Sequence, residues 1–220
     1  MSKQVIIFIA PPGAGKGTQA ELVAKKIGLE HIETSNIIEE KFKNADPKDG
    51  KLNEEKKRFL AGELTDPVLV AEWFLEKVGD LARRGVGMVL SGSPRTMYEG
   101  ETDMPELERL YGKENIKIFY ISLSEEESIK RNSSRRICKK NRHPIPGFPQ
   151  YRDLMTCPED GSPIIRRELD KPEIIKERYR VYKAETEPVL DYLKKNGYDV
   201  ITIEGEQPIE KVQEDILKYL

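Results

Sequence analysis

Ala10-Pro11-Pro12-Gly13-Ala14-Gly15-Lys16-Gly17-Thr18 gathers small residues, one ammonium and one hydroxyl into a short run. Gly13, Ala14, Gly15 and Gly17 let backbone N–H groups turn inward on phosphate oxygens. Lys16 has the reach to touch terminal phosphates, and Thr18 can offer its hydroxyl to Mg2+. The apolar run Val5-Ile6-Ile7-Phe8-Ile9 before the loop reads as a strand, and Gln19 to Ile27 after it carries apolar residues at helical spacing. The positive end of that helix points at the same place, so the ligand called for is a nucleoside triphosphate. A loop of this kind normally opens with glycine; here the position is Ala10, whose methyl group narrows the backbone angles available.

The elements that must hold this loop follow one rhythm. Strand-like segments recur at Val86 to Leu90, Ile116 to Ile121, Val200 to Ile203 and, shorter, near His31-Ile32. Helical patterns over 66–84, 98–111, 124–136, 172–196 and 208–219 lie between them, the fourth closed by Gly197. Such alternation predicts an α/β fold with a parallel sheet, helices on both faces and the ligand at the carboxyl ends of the strands. Two stretches break the rhythm and read as insertions over the site. Residues 34–66 are polar and helical in pattern, interrupted at Asp46-Pro47-Lys48-Asp49-Gly50; residues 137–169 are rich in proline and glycine and lack helical periodicity.

The chain of 220 residues, 35% charged and 37% hydrophobic, suits one compact soluble domain. Acids and bases are interleaved to a net charge of −2, which argues against nucleic acid or an anionic membrane as partner. The apolar start is too short for a signal peptide, and no run reaches the roughly 18 apolar residues of a membrane span. Cys138 and Cys157 make no disulfide framework, so the expected location is the cytoplasm, and the expected state is a monomer.

Four places together resemble the adenylate kinases and related nucleoside monophosphate kinases: Ala10 to Ala20 their phosphate loop; Ser91-Gly92-Ser93-Pro94-Arg95-Thr96 their Asp-Gly-Phe-Pro-Arg-Thr signature; Arg131 to Arg136 the arginines entering their lid; Arg167 with Arg178 the pair leaving it. The resemblance spans nearly the whole chain. It implies a P-loop NTPase three-layer fold with a core of residues 1–33, 67–136 and 170–220, an acceptor-binding insertion at 34–66 and a lid at 137–169. The implied reaction moves the γ-phosphoryl of Mg-ATP to a nucleoside monophosphate. Phosphoryl transfer is mostly positioning and charge stabilisation, which calls for many cations. By similarity Gly13 to Thr18 cradle the donor phosphates, and Arg131 packs near the ATP base. Lys16, Arg95, Arg135, Arg167 and Arg178 act on transferring phosphates, and Thr34, Glu39, Gly92, Arg95 and Glu99 meet the acceptor. In a chain this charged a single arginine more often covers a helix face, and Arg136, Arg152 and Arg166 are read that way.

The acceptor half departs from the family. Glu39 stands where relatives place an arginine on the acceptor phosphate, a loss of roughly 1.5–3 kcal/mol for one charge-assisted contact. The spacing of Asn36 and Glu39 also fits a capping box at a helix start, which would turn Glu39 onto the backbone. Asn36 and Ser91 replace two carboxylates that orient magnesium-bound water in relatives, and Ser93 replaces a phenylalanine. Glu99 replaces a base-reading glutamine and, ionised, could only accept hydrogen bonds. AMP is the default acceptor, with CMP, UMP and GMP open. The rival reading is an ATP-binding switch protein with little phosphotransfer; a phosphate-loop kinase for another small phosphorylated acceptor is weaker. In some relatives the lid holds zinc. Cys138, Cys157 and Asp160 keep that outline, and with Asn141 in a cysteine position His143 would complete the set; a metal-free lid is the alternative. Trp73, Tyr179 and Tyr182 read as core, and His31 as structural.

Overall fold

The computed structural model of the chain describes residues 4–140, 143–145, 151–166 and 170–220. Among them, β1 (Val5–Ile9), β2 (Glu30–Glu33), β3 (Met88–Ser91), β4 (Ile116–Ser122) and β8 (Val200–Glu204) form a parallel sheet in the order β2-β3-β1-β4-β8. Side chains alternate across a strand, so β1 feeds two cores. Val5, Ile7 and Ile9 pack with Phe74, Leu81, Leu90, Met104 and Val189. Ile6 and Phe8 face the other way, toward Ala20, Val23, Phe119, Val212 and Ile216. One face is therefore covered by α4 (Pro67–Arg83), α5 (Met97–Tyr111) and α8 (Glu187–Lys195), the other by α1 (Lys16–Ile27) and α9 (Ile209–Leu217).

Helix α4 shows how the sequence enforces this. Asp66 caps it by accepting from Val68 N at 2.9 Å, Pro67 occupies the first turn where its missing N–H is harmless, and Val70, Phe74, Val78 and Leu81 form its buried stripe. Phe74 is 1% exposed, so Phe74→Ala would cost about 3–5 kcal/mol.

Residues 34–66 carry α2 (Thr34–Asn44) and α3 (Gly50–Ala61), separated at the expected break. Phe42 stacks edge-on against both Trp73 of α4 and Phe59 of α3, with centroids 6.2 and 5.9 Å away, which ties the pair of helices to the core. The second stretch is built from short antiparallel pairs: β5 (Arg136–Cys138) runs between β6 (Pro144–Ile145) and β7 (Ile164–Ile165).

The expected single helix over 172–196 is α7 (Pro172–Val181), a π-helical segment over Tyr182–Thr186, then α8. Pro188 in the first turn of α8 has no N–H to continue the ladder, and Glu187 N bonds instead to Tyr182 O, five residues back. No helix among the described residues is long and apolar enough to cross a membrane.

Candidate functional site

Strand β1 ends at Ile9 and α1 begins at Lys16, so the loop between them lies at the carboxyl edge of the sheet. Gly15 caps α1 in the left-handed region at φ 84°, with no side chain closing the helix end. The N–H groups of Lys16, Gly17 and Thr18 belong to the first turn, where helix geometry supplies no acceptor; a phosphate can. Gly13, at φ 82°, has α6 (Glu125–Ser134) against it: an added Cβ would stand 2.5 Å from Asn132 Nδ2. Ser128 Oγ donates to Pro12 O at 2.6 Å and fixes the loop from the same side. Ala10 is buried and packs with Ala14 and Ala20 beneath the loop.

The loop opens into a cavity of about 470 Å³ that Lys16, Thr18, Arg95, Arg135 and Arg178 all line. Burial lowers the Lys16 ammonium from its ordinary 10.5 to about 7, and Arg95 and Arg178 push the same way, while Glu33 offsets part of the shift. The four cations share the cavity with the carboxylates of Glu21, Glu33 and Glu63. Arg95 reaches the cavity beside Gly92, where an added Cβ would meet its Nη2 at 2.9 Å.

Two of the arginines share one anchor. Asp170, buried just before α7, accepts from Arg135 Nη2 at 2.6 Å and Nε at 3.1 Å, and Arg178 Nη1 lies 3.7 Å from the same carboxylate. The sequence reading missed Asp170, one of two acids in the charged tract Arg166 to Lys171 ahead of Pro172.

The acceptor side differs from expectation. Helix α2 starts at Thr34 directly after β2, with Glu33 at its N-cap, so Asn36 and Glu39 lie inside the helix and form no capping box. Strand β2 runs straight into the helix and leaves no position for Asn36 to act as a cap. Asn36 lines the cavity; Glu39, half-buried on α2, is not among the lining residues. Thr34 Oγ1 donates to Ser93 Oγ at 3.1 Å behind Gly92. Glu99 is 2% exposed and turned onto the backbone: it accepts from Arg95 N at 2.9 Å and from Thr96 Oγ1 at 3.3 Å, while Thr96 Oγ1 accepts from Glu99 N. Thr96-Met97-Tyr98-Glu99 is the capping sequence of α5, a local signal that was present in the sequence and unread. His31, read as structural, lines the cavity, and its Nε2 lies 2.9 Å from Ser91 Oγ.

Arg131 pairs with Glu127 on its own helix at 2.9 Å and is not among the lining residues; Arg167 lies outside the described residues. Trp73 is core as expected, whereas Tyr182 is both buried and cavity-lining, and Tyr179 OH donates to Leu123 O. Near β5 and β6 the potential ligand atoms of Cys138, His143, Cys157 and Asp160 lie within 4.8 Å of one another. His143 Nδ1 is 3.3 Å from Cys157 Sγ and 3.4 Å from Asp160 Oδ2, a cluster that could hold a metal ion. Arg136, expected to be solvated, bonds the carbonyls of Leu154 and Tyr151 beside this cluster.

A sequence profile for Adenylate kinase matches residues 8–198. The chain belongs to the adenylate kinase family. An adenylate kinase of Petrotoga mobilis is 34% identical over 98% of this chain and 96% of its own length. One from Kosmotoga olearia is 36% identical over 98% of each, and one from Archaeoglobus fulgidus is 35% identical over 96% of this chain and 95% of its own.

Adenylate kinase membership accounts for the fold and for a cationic cavity on a phosphate loop, and it disfavours the reading as a binding switch without phosphotransfer. The chain is a phosphotransferase of the nucleoside monophosphate kinase class.

Proposed function

We propose that the kinase transfers the γ-phosphoryl of ATP to AMP in the cavity bounded by the phosphate loop, α2, α3 and α7. The convergence of Lys16, Arg95, Arg135 and Arg178 on one cavity carries this reading. Residues 34–66 serve as the acceptor-binding unit, 137–169 as the lid, and the remainder as the core.

In the reaction an oxygen of the acceptor phosphate attacks the γ-phosphorus, and the bond from that phosphorus to the β,γ-bridging oxygen breaks. Gly13 to Thr18 hold the donor β- and γ-phosphates through backbone N–H groups, and Lys16 follows the moving charge. Arg95 grips the acceptor phosphate beside Gly92 and Thr34. Arg135 and Arg178, held by Asp170, retain donors for the equatorial oxygens of the transferred group, and by similarity Arg167 joins them. Closure over these groups excludes water as a competing acceptor.

Oxygen donors of the hard type that suits Mg2+ line the same cavity, among them Thr18 and Asn36. When bound, the ion neutralises phosphate charge. Zinc suits the Cys138, His143, Cys157 and Asp160 set, where it would staple the lid. Glu39 and Glu99 do not line the cavity, which leaves Arg95 as the acceptor-phosphate grip; AMP is the acceptor by resemblance to the family. Two buried free thiols suit the cytoplasm.

The test is diphosphate formation from Mg-ATP with AMP, GMP, CMP and UMP separately, with Arg95→Ala alongside. ADP formed from AMP and lost in the variant supports the assignment. A preference for another monophosphate moves the specificity, and no product from any of them removes the kinase reading.

A further inference from the structure

The loop from Gly92 to Thr96 joins β3 to α5 and carries Arg95 into the cavity. Behind it three hydroxyls and one carboxylate, those of Thr34, Ser93, Thr96 and Glu99, are buried. Thr34, the first residue of α2, donates from Oγ1 to Ser93 Oγ at 3.1 Å, and the Ser93 hydroxyl is in turn a donor to Glu99. Glu99 Oε2 accepts from Arg95 N at 2.9 Å, and Oε1 accepts from Thr96 Oγ1 at 3.3 Å. On the cavity side Gly92, at φ 110°, brings the Arg95 guanidinium and Thr34 together: a Cβ added there would stand 2.9 Å from Arg95 Nη2 and 3.3 Å from Thr34 Cβ.

These bonds do more than cap a helix. In a capping box the acid three residues after the cap bonds the backbone N–H of the cap residue itself. Thr96 is that residue, and its hydroxyl already closes the helix end by accepting from Glu99 N at 3.2 Å. Glu99 reaches one residue further back, to the N–H of Arg95. Burial raises the pKa of this carboxyl, and the Arg95 N–H and charge, with the Ser93 and Thr96 hydroxyls, oppose that shift. A neutral cap would close α5 without burying an acid. The acid adds a tether on the residue whose guanidinium enters the cavity. Neither Glu99 nor Ser93 lines that cavity, so their route to a ligand is Arg95.

We propose that Glu99, held by Ser93 and Thr34, is a positioning residue for phosphoryl transfer: it fixes the backbone of Arg95 so that the guanidinium stands ready for the acceptor phosphate. This assignment rests on the kinase reading above and gives Glu99 a role other than reading the base. The same chain of bonds ties the first residue of α2 to Arg95, so the start of the acceptor-binding unit and the acceptor-phosphate grip keep one relative position.

The test measures AMP binding by NMR titration, which reaches millimolar dissociation constants, and ATP binding by calorimetry, in wild type, Glu99→Ala, Arg95→Ala and the double variant. Loss of a charge-assisted contact that orients Arg95 should weaken AMP binding about tenfold and leave ATP binding within about twofold. In the Arg95→Ala background the Glu99→Ala change should cost AMP less than about twofold more, because groups that act as one unit are not additive. Glu99→Gln, which keeps an acceptor for Arg95 N, should recover most of the lost affinity. Ser93→Ala should weaken AMP about threefold and only while Arg95 is present, which carries the test if Glu99→Ala does not fold. Melting temperature is not the readout, since the Glu99 charge also raises the pKa of buried Asp103 and its removal changes stability by itself. An equal AMP loss with and without Arg95 would put Glu99 on the acceptor directly, and equal losses of AMP and ATP would make it structural. Either result overturns the proposal, as does unchanged AMP affinity in Glu99→Ala. Where wild type prefers another monophosphate, that acceptor replaces AMP. Absence of diphosphate product from wild type with every monophosphate is a failure of the kinase reading instead, visible before any variant is made.

Discussion

Asp170 holds Arg135 by two bonds, Nη2 to Oδ1 at 2.6 Å and Nε to Oδ2 at 3.1 Å. The fork uses two of the five guanidinium donors and leaves the rest for a ligand. Arg178 stands 3.7 Å from the same carboxylate, so one buried acid fixes two cations that would otherwise repel each other.

Asp170→Asn keeps the size and removes the charge that aligns both arginines. Losing a charge-assisted contact at each costs about 1.5–3 kcal/mol, which predicts a fall in kcat of roughly tenfold to hundredfold. Because the arginines are disordered rather than deleted, KM for either nucleotide should move less than kcat. Steady-state kinetics with both substrates varied checks this; a pure KM effect would make Asp170 part of ground-state binding.

Lys16 predicts a proton linkage. Its pKa is lowered to about 7 in the free protein, chiefly by burial and then by Arg95 and Arg178, so above pH 7 the side chain is largely neutral. A bound polyphosphate stabilises the ammonium and raises that pKa. Binding above pH 7 should therefore take up close to one proton, and ATP affinity should weaken as pH rises from 7 to 9. Calorimetry at pH 8 in two buffers of different ionisation enthalpy reads the uptake directly, and Lys16→Met should abolish it.

Much of this was legible in the sequence, for reasons that differ by element. The apolar run Val5–Ile9 and the small residues after it are local signals, and local geometry decides the outcome there. The capping residues were harder, because a Ser, Thr or Asn with a Glu three residues on recurs by chance. Asn36 and Glu39 have the spacing and form no cap, since β2 feeds directly into α2; Thr96 and Glu99 have it and cap α5. Asp170 and His31 became visible only through long-range packing, which brings an acid ahead of α7 onto Arg135 after α6 and sets His31 on β2 against Ser91 on β3.

Glu99 and Asp103 lie one turn apart on α5, and Asp103 is 0% exposed with neither oxygen hydrogen-bonded. Burial, with the neighbouring Glu99 charge, raises the Asp103 pKa from 3.8 to about 8. The folded state therefore binds this proton more tightly than the unfolded chain. The contribution to stability is present below about pH 4 and is lost as pH rises to 8, with a slope of up to about 1.4 kcal/mol per pH unit. Urea unfolding between pH 5 and 8 should show the decline, and Asp103→Asn should flatten it. Asp103→Leu should raise stability most at pH 8, where the wild-type protein has to bury a charge.

The cluster of Cys138, His143, Cys157 and Asp160 makes the last prediction. Cys138 and Cys157 are buried thiols, His143 offers Nδ1, and Asp160 offers Oδ2 to the same point, while Ser162 N holds the other Asp160 oxygen at 2.9 Å. Two thiolates, an imidazole and a carboxylate make a closed set for tetrahedral zinc, and such a site adds its binding free energy to folding. Protein prepared without chelator should carry close to one zinc per chain by elemental analysis. Stripping it should lower the melting temperature by several degrees, and zinc added back should restore it. Cys157→Ala should melt like the stripped protein and no longer respond to zinc. If the untreated protein is metal-free and indifferent to zinc, the zinc assignment falls, and the Arg136 bonds to the Leu154 and Tyr151 carbonyls are among the ties that remain.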